Sequence, residues 1–279
     1  MSGISLKAPS VHSILDKHSA AGNPYNGWEE LWSRGDDLPW DKGAPNPALA
    51  EAITTKADIL RLPRATCARK RALVPGCGRG LDVLLLASFG YDAYGLEYSK
   101  TAIDVARKEQ DRAEQHDKYP VKNEIVGRGK ITWLQGDFFN DEWLEAAGLT
   151  RNCFDLIYDN TFFCALDPSM RSAWALRYTQ LLAASPEGNL VCLEFPRHRD
   201  PSERGPPWPS PSEAYVAHLS HPGKVIAYDA KGRLESEPLR DGSKLGLERV
   251  SYWTPERTHD FGTSAKGEVL DRVSVWRLK

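Results

Sequence analysis

Apolar positions in this chain fall in short runs separated by longer mixed stretches. From about residue 67 onward the alternation is that of β-α units feeding a parallel sheet. The first run, 71–74 (RALV), ends in PGCGRG at 75–80 and leads into an apolar helix over 81–89. The second, 94–97 (YGLE), ends in an acid; Ser99 follows as a suitable N-cap, then a charged helix over about 100–115. A third run, 131–134 (ITWL), leads into QGDFF, and a fourth, 154–158 (FDLIY), into DNTFF, with a helix from roughly 168 to 183. The fifth is 189–195 (NLVCLEF), and 272–277 (RVSVWR) alternates like a closing strand. Two stretches break the rhythm. Residues 25–49 are dense in Trp, Gly and Pro, and 196–211 (PRHRDPSERGPPWPSP) form a turn-rich connection of a length that is usually functional or disordered.

Composition narrows the class. A chain of 279 residues can bury a large core, and we expect one domain, with 1–66 as an N-terminal lid region and 67–279 as the core. A net charge of -2 leaves no basic face to hold a phosphate backbone, so nucleic acid is a disfavoured partner. The five cysteines, Cys67, Cys77, Cys153, Cys164 and Cys192, are scattered and never spaced as CxxC, which signals neither a disulfide framework nor a zinc site; no metal is expected. No stretch approaches the roughly 20 apolar residues of a membrane span, and the N-terminus lacks an apolar run of signal-peptide length. A monomer in a reducing cytoplasm is the expectation.

The chemistry-bearing residues fall at strand ends, where open parallel sheets bind ligands. Gly76, Cys77, Gly78, Arg79 and Gly80 spell GxGxG, a loop whose backbone can approach a ligand without an intervening Cβ. A dinucleotide fingerprint needs a glycine at position 81, which is Leu81. Glu97 can accept hydrogen bonds from both hydroxyls of a ribose, as in nicotinamide enzymes. Asp137 and Phe138, after the third strand, offer an acceptor for an adenine amino group and an aromatic face for its ring. Taken singly, these are a structural turn, a solvated carboxylate and a helix cap. Their order at three successive strand ends resembles the class I S-adenosylmethionine-dependent methyltransferases. That resemblance implies a Rossmann-like α/β fold with a mostly parallel seven-stranded sheet flanked by helices, S-adenosylmethionine as cofactor and S-adenosylhomocysteine as product. Leu81 and Asp137 speak against the alternative of a nicotinamide-dependent oxidoreductase.

Trp28 and Trp32 lie four residues apart, on one face of a helix, and Trp40 follows in a loop (PWDKG). Such indoles either pack the core or close over the cofactor, where an aromatic face attracts a sulfonium cation by roughly 0.5 to 2 kcal/mol. WEELWSRGDDLPWDKGAPNPAL, LVPGCGRGLDVLLLASFGYDAYGLEYS, FDLIYDNTFFCALDPSMRSAWA and the GPP at 205–207 resemble the thiopurine methyltransferase-like family, and within it the thiol and halide methyltransferases of plants and fungi. YDNTFFCALDP and the charged tail are similar to fungal thiomethyltransferases that S-methylate reduced gliotoxin and related epidithiodiketopiperazine dithiols. The resemblance implies cofactor binding through Trp28, Trp32, Trp40, Gly76 to Gly80, Glu97, Asp137 and Phe138. Asn160 stands where plant members carry Tyr and thiopurine members Arg, which implies a roomier pocket beside the transferring methyl.

Methyl transfer from a sulfonium is an in-line displacement, so the protein mainly supplies alignment and desolvation. A thiol with a pKa of about 8.5 is already partly ionised at neutral pH, and a neighbouring cation lowers it further. Asp159 is the best-placed candidate base, or else a turn-capping carboxylate; Asn160 sits beside it. Arg197 and His198 in the Pro-rich loop are secondary candidates. Phe162, Phe163 and Tyr215 are candidate substrate walls, or core.

Overall fold

The computed structural model describes residues 10–35, 38–65, 68–235 and 243–279; Cys67 and the first nine residues lie outside the described residues. Five of the apolar runs form parallel strands: β1 (Arg71–Pro75), β2 (Asp92–Glu97), β3 (Ile131–Gln135), β4 (Leu156–Asn160) and β5 (Asn189–Glu194). Two more, β6 (Leu247–Trp253) and β7 (Arg272–Leu278), close one edge as antiparallel strands, giving the order β3-β2-β1-β4-β5-β7-β6. β1 pairs with β2 on one side and β4 on the other, so the strand order reverses there and a crevice opens at the carboxyl ends.

The helices are α1 (Val11–Ala20), α2 (Asn26–Arg34), α3 (Pro47–Thr55), α4 (Ala57–Leu60), α5 (Leu81–Ser88), α6 (Lys100–Gln115), α7 (Glu142–Ala146), α8 (Arg171–Leu181) and α9 (Ser212–Ser220). Both faces of the sheet are covered, which is why its inner strands read as continuous apolar runs. Ala72, Val74, Leu156 and Tyr158 face one cluster with α3 and α5; Leu73 and Ile157 face the other with Trp174, Tyr178 and Trp276. The expected lid region 1–66 is therefore divided. Leu49 and Ile53 of α3 are fully buried against the sheet, and only the segment before α3 stands over the carboxyl ends.

Local chemistry sets the element ends. Ser99 caps α6 by accepting from the Ala102 N–H at 3.0 Å, and Asn46 caps α3 at 3.0 Å with Pro47 in its first turn. The helix expected from 168 starts later, at Arg171, because Asp167 and Pro168 form a short 3-10 turn first. β4 runs to Asn160, so Asp159 and Asn160 belong to the strand rather than to the loop after it. β6 has no counterpart among the sequence-derived strands. Its inward and outward residues do not alternate, and a bulge between Arg249 and Ser251 breaks the period-two pattern. Among the described residues no helix is long and apolar enough to cross a membrane.

Asp159, the best-placed base by sequence, is instead a core carboxylate. It is 1% exposed and accepts from Trp174 Nε1 at 2.8 Å, Tyr178 OH at 2.7 Å and the Phe163 N–H at 3.0 Å. Burial raises its pKa while these donors pull it back. The carboxylate thus staples α8 to the end of β4. Each buried donor left unpaired costs about 1–3 kcal/mol. Asp159→Ala should therefore lower the unfolding free energy by at least about 2 kcal/mol in urea titrations; a variant as stable as the parent would mean that apolar packing alone holds α8.

Candidate active site

The chain leaves β1 through Gly76 and Gly78, with φ of 58° and 50°. A Cβ on Gly76 would lie 2.6 Å from the Phe162 ring, and one on Gly78 3.0 Å from Trp32. Only glycine satisfies both the left-handed backbone and the space between these rings. Cys77 and Gly80, expected with them, sit behind the loop. The thiol packs against the apolar cluster, with burial pushing its pKa well up, and a Cβ on Gly80 would meet Trp133 at 2.3 Å.

Glu97 ends β2 and closes over the loop. One carboxylate oxygen accepts from the Gly78 N–H at 3.1 Å, the other from Tyr98 N–H at 2.8 Å and Ser99 N–H at 3.2 Å. Burial raises its pKa and the three N–H donors oppose the rise. A carboxylate held this way keeps lone pairs for a diol. After β3, Asp137 accepts from the Phe139 N–H at 3.0 Å, and the Phe138 ring packs edge-on against Phe162 at 5.0 Å.

Beneath this loop lies a residue that the sequence reasoning missed. Arg177, 2% exposed, donates from Nε to the Phe138 carbonyl at 2.8 Å, from Nη1 to Asp141 at 2.6 Å and from Nη2 to the Asn140 carbonyl. Desolvation lowers its pKa, and Asp141 offsets only part of the fall. Its signal in the sequence is an arginine set in the buried stripe of α8 between Trp174 and Tyr178.

Trp28, Trp32 and Trp40 stand over the glycine loop, Trp28 and Trp40 edge to face at 5.4 Å. Glu29 of α2 anchors this roof by accepting from Ser99 Oγ at 2.6 Å and Thr101 Oγ1 at 2.5 Å, at the start of α6. Asp41 accepts from Arg79 Nε at 2.7 Å and so ties the Trp40 segment to the glycine loop.

Together these residues enclose a cavity of about 540 Å³ at the carboxyl ends of β1 to β5. Of the residues proposed from sequence, Trp28, Trp32, Trp40, Gly76, Gly78, Glu97, Asp137, Phe138 and Phe162 line it. Phe163 and Tyr215 do not; their rings stack at 4.2 Å inside the core. Arg197 is occupied with Ser212 Oγ at 2.9 Å and the Leu270 carbonyl at 3.0 Å, while His198 is exposed outside the cavity. Asn160 lies just beneath the wall, donating to Asp82 at 3.1 Å, with its own Oδ1 buried and unpartnered. Thr161, at φ 61°, turns the chain into the cavity from there.

The far end of the cavity was legible from sequence only through the Pro-rich 196–211 connection, expected there to shape the acceptor. Cys164, Ala165 and Leu166 come from the loop after β4, Phe195 from the end of β5, Pro206 and Pro207 from the Pro-rich loop, and Phe261 from the turn before β7. Val11 and His12 of α1 reach over its mouth, where Asp16 of α1 pairs with Arg204 of the Pro-rich loop. This far half is thus apolar and aromatic, with no lysine, arginine or carboxylate on its wall among the described residues.

This sheet order, with a glycine turn, an acid and an acid-aromatic pair at successive strand ends, defines a class I S-adenosylmethionine-dependent methyltransferase. The family model described as thiopurine S-methyltransferase matches residues 24–256, and the chain belongs to that family. It is 34% identical to probable thiol methyltransferase 2 of Arabidopsis thaliana over 90% of this chain and 96% of that one. It is 32% identical to thiocyanate methyltransferase 1 of Brassica oleracea, over 81% of this chain and 84% of that one. A solved structure concerned with conversion of a disulfide bond into a thioacetal group during echinomycin biosynthesis shares the fold. Its TM-score is 0.54 at 22% identity, covering 91% of this chain and 93% of that one.

Two predictions follow from this geometry. Lysine at position 177 supplies the charge without the planar fork, so Arg177→Lys should weaken S-adenosylhomocysteine binding about tenfold by calorimetry; unchanged affinity would detach the arginine from the site. Asp82 accepts from the Asn46 N–H and from Asn160, both at 3.1 Å, and desolvation raises its pKa from 3.8 to about 6. The folded protein holds that proton over a window in which the unfolded chain has lost it, so the parent loses stability as pH rises from 4 to 7. Asp82→Asn stays neutral, and its amide can donate to Asn160 Oδ1 once that side chain rotates. Relative to the parent it should gain stability over this range, by up to about 3 kcal/mol in urea unfolding; a pH-independent difference would refute the linkage.

Proposed function

We propose that the protein S-methylates a bulky, apolar organic thiol, and that its acceptor is the dithiol of a reduced epidithiodiketopiperazine such as gliotoxin, methylated twice in succession. The observation that carries this reading is the far half of the cavity, walled by Phe162, Leu166, Phe195, Phe261 and the two prolines, with no fixed charge there among the described residues. An apolar wall gains free energy by covering an organic thiol and offers nothing to replace the hydration of a small anion. The relative named probable thiol methyltransferase 2 supports a thiol acceptor, whereas the relatives named thiocyanate methyltransferase 1 are named for a small anion.

In this reading Gly76 and Gly78 let the backbone meet the cofactor, Glu97 takes the ribose hydroxyls, and Asp137 and Phe138 take the adenine. The three tryptophans face the methionine end, where an aromatic surface favours positive charge. When bound, S-adenosylmethionine supplies an electrophilic methyl on a sulfonium. The surrounding residues exclude water and hold the acceptor sulfur in line with that methyl. Asp159 is fully engaged by three donors and does not reach the cavity, so no dedicated base is assigned. The proton leaves the thiol to solvent, and the thiolate displaces S-adenosylhomocysteine. Capping both sulfurs blocks their reoxidation to the disulfide, which makes the reaction a detoxification in a reducing cytoplasm.

Mass spectrometry of reduced gliotoxin incubated with the protein and S-adenosylmethionine, beside a simple monothiol and iodide, tests this. The expected result is two successive methyl gains on the dithiol and little turnover of the others. Turnover of iodide or the monothiol without the dithiol would keep the family chemistry and remove the substrate assignment.

A further inference from the structure

Phe261 occupies a position that none of the cofactor motifs touches. It lies in a turn, Asp260–Gly262, between β6 and β7, and beyond the 24–256 stretch that the family model matches. One face of its ring meets Phe195 at 4.6 Å and lines the apolar cavity. Its other neighbours are the Lys42 ammonium, 5.1 Å from the ring centre, and the His259 ring at 5.8 Å. Lys42 and His259, with Arg257, Thr258 and Asp260, line a second recess of about 440 Å³ that is polar and open to solvent. The ring therefore stands between two recesses of opposite character.

The turn that carries it is wedged in place. The Gly262 N–H donates to the His259 carbonyl at 2.8 Å, and the Leu270 N–H to the Gly262 carbonyl at 2.8 Å. A Cβ on Gly262 would lie 2.0 Å from the Asp271 carboxylate, so the backbone already rests on that buried group. Asp271 is itself fixed by Thr258 Oγ1 at 2.5 Å. A ring mounted on a turn with so little room cannot retreat from a long acceptor.

We propose that Phe261 is a specificity-determining residue, an end wall that limits acceptor length by sealing the apolar cavity from the polar recess. The inference rests on the thiol-methylation reading and adds to it the side chain that sets the size limit. Shortening the ring joins the two spaces. A longer acceptor with a polar end can then place its apolar body in the cavity and its polar tip among Lys42, His259 and Asp260.

The test compares benzenethiol with a biphenyl thiol bearing a terminal hydroxyl, as kcat/KM for the parent, Phe261→Ala and Phe261→Trp. Loss or gain of a few methylene-sized contacts in an apolar pocket shifts such ratios by about 10- to 200-fold. Phe261→Ala should raise the biphenyl-to-benzenethiol ratio at least about tenfold and Phe261→Trp should lower it. Quenching of tryptophan fluorescence by S-adenosylhomocysteine reports that each variant is folded. If Phe261→Ala does not fold, the direction of the Phe261→Trp shift decides. Ratios within about twofold of the parent in the folded variants would overturn the wall while leaving methyl transfer to thiols intact. A parent that methylates neither thiol nor reduced gliotoxin would overturn the reading on which the inference rests, and one that methylates reduced gliotoxin while no variant turns over either monothiol would overturn the wall alone.

Discussion

The chain must reverse from β1 into α5 in the space left between Phe162 below and Trp32 above, and at Gly76 and Gly78 only a residue without a Cβ fits that space. The rest of the site depends on this reversal. It brings the Gly78 N–H to Glu97, so the glycine turn and the end of β2 share a hydrogen bond across the β1–β2 crevice. It also sets the floor on which the indoles rest. A side chain at either position would push Phe162 or Trp32 away and open the cavity at its narrowest part.

Carboxylates outside that turn hold the N-terminal segment above it. Glu29 joins α2 to the start of α6, Asp41 joins the Trp40 segment to Arg79, and Asp82 joins the Asn46 backbone to β4 through Asn160. The three differ in environment. Glu29 is half-buried, and desolvation that would raise its pKa is outweighed by hydrogen bonds from Ser99, Thr101 and Ser33, whereas Asp82 is desolvated enough to rise to about 6. Glu29 secures the roof where water partly screens its energy, whereas the Asp41 carboxylate, with its side chain 9% exposed, meets Arg79 largely out of water. Asp82 secures the roof where its charge state matters, and Asn160 Oδ1, left without a partner beside it, marks where its hydrogen bonding can rearrange.

The strands beneath the glycine-turn half of the cavity were legible because each is a mainly apolar run followed by a residue of distinctive type, Gly76, Glu97 or Asp137, and all three line the cavity. Trp28 and Trp32 were legible from helical spacing, and both reach the cavity. Asp159 was misread because sequence places a carboxylate at a strand end without saying which way it points; here Trp174 and Tyr178, fifteen and nineteen residues on, claim it. Phe163 and Tyr215 failed for the same reason, being neighbours of a wall residue whose rings turn inward. Phe261 and Leu166 carried no signal at all, since an aromatic or aliphatic residue in a loop reads alike whether it faces a cavity or a core. Arg177 is the exception among the missed residues, since a cation inside a buried helical stripe must have acceptors nearby.

The acceptor wall also contains a thiol of its own, which reports what the cavity does to sulfur. Cys164 lines the cavity, is 2% exposed, and has its pKa pushed up by burial and by the nearby Asp159 charge. It therefore stays a neutral thiol and a poor nucleophile, although it shares the cavity with the three tryptophans. An acceptor thiol placed against the same wall suffers the same loss of hydration. Among the described residues no lysine or arginine lines the cavity to offset it, so under the proposed reaction the offsetting charge arrives with the cofactor. Ionisation of the acceptor is then coupled to occupancy of the tryptophan-roofed end, and the bare cavity disfavours the thiolate that the loaded cavity requires. This makes the lack of a lysine or arginine on the lining, among the described residues, a consistent feature of the site, because a permanent cation there would ionise any thiol that entered, whether or not a methyl was available to receive it.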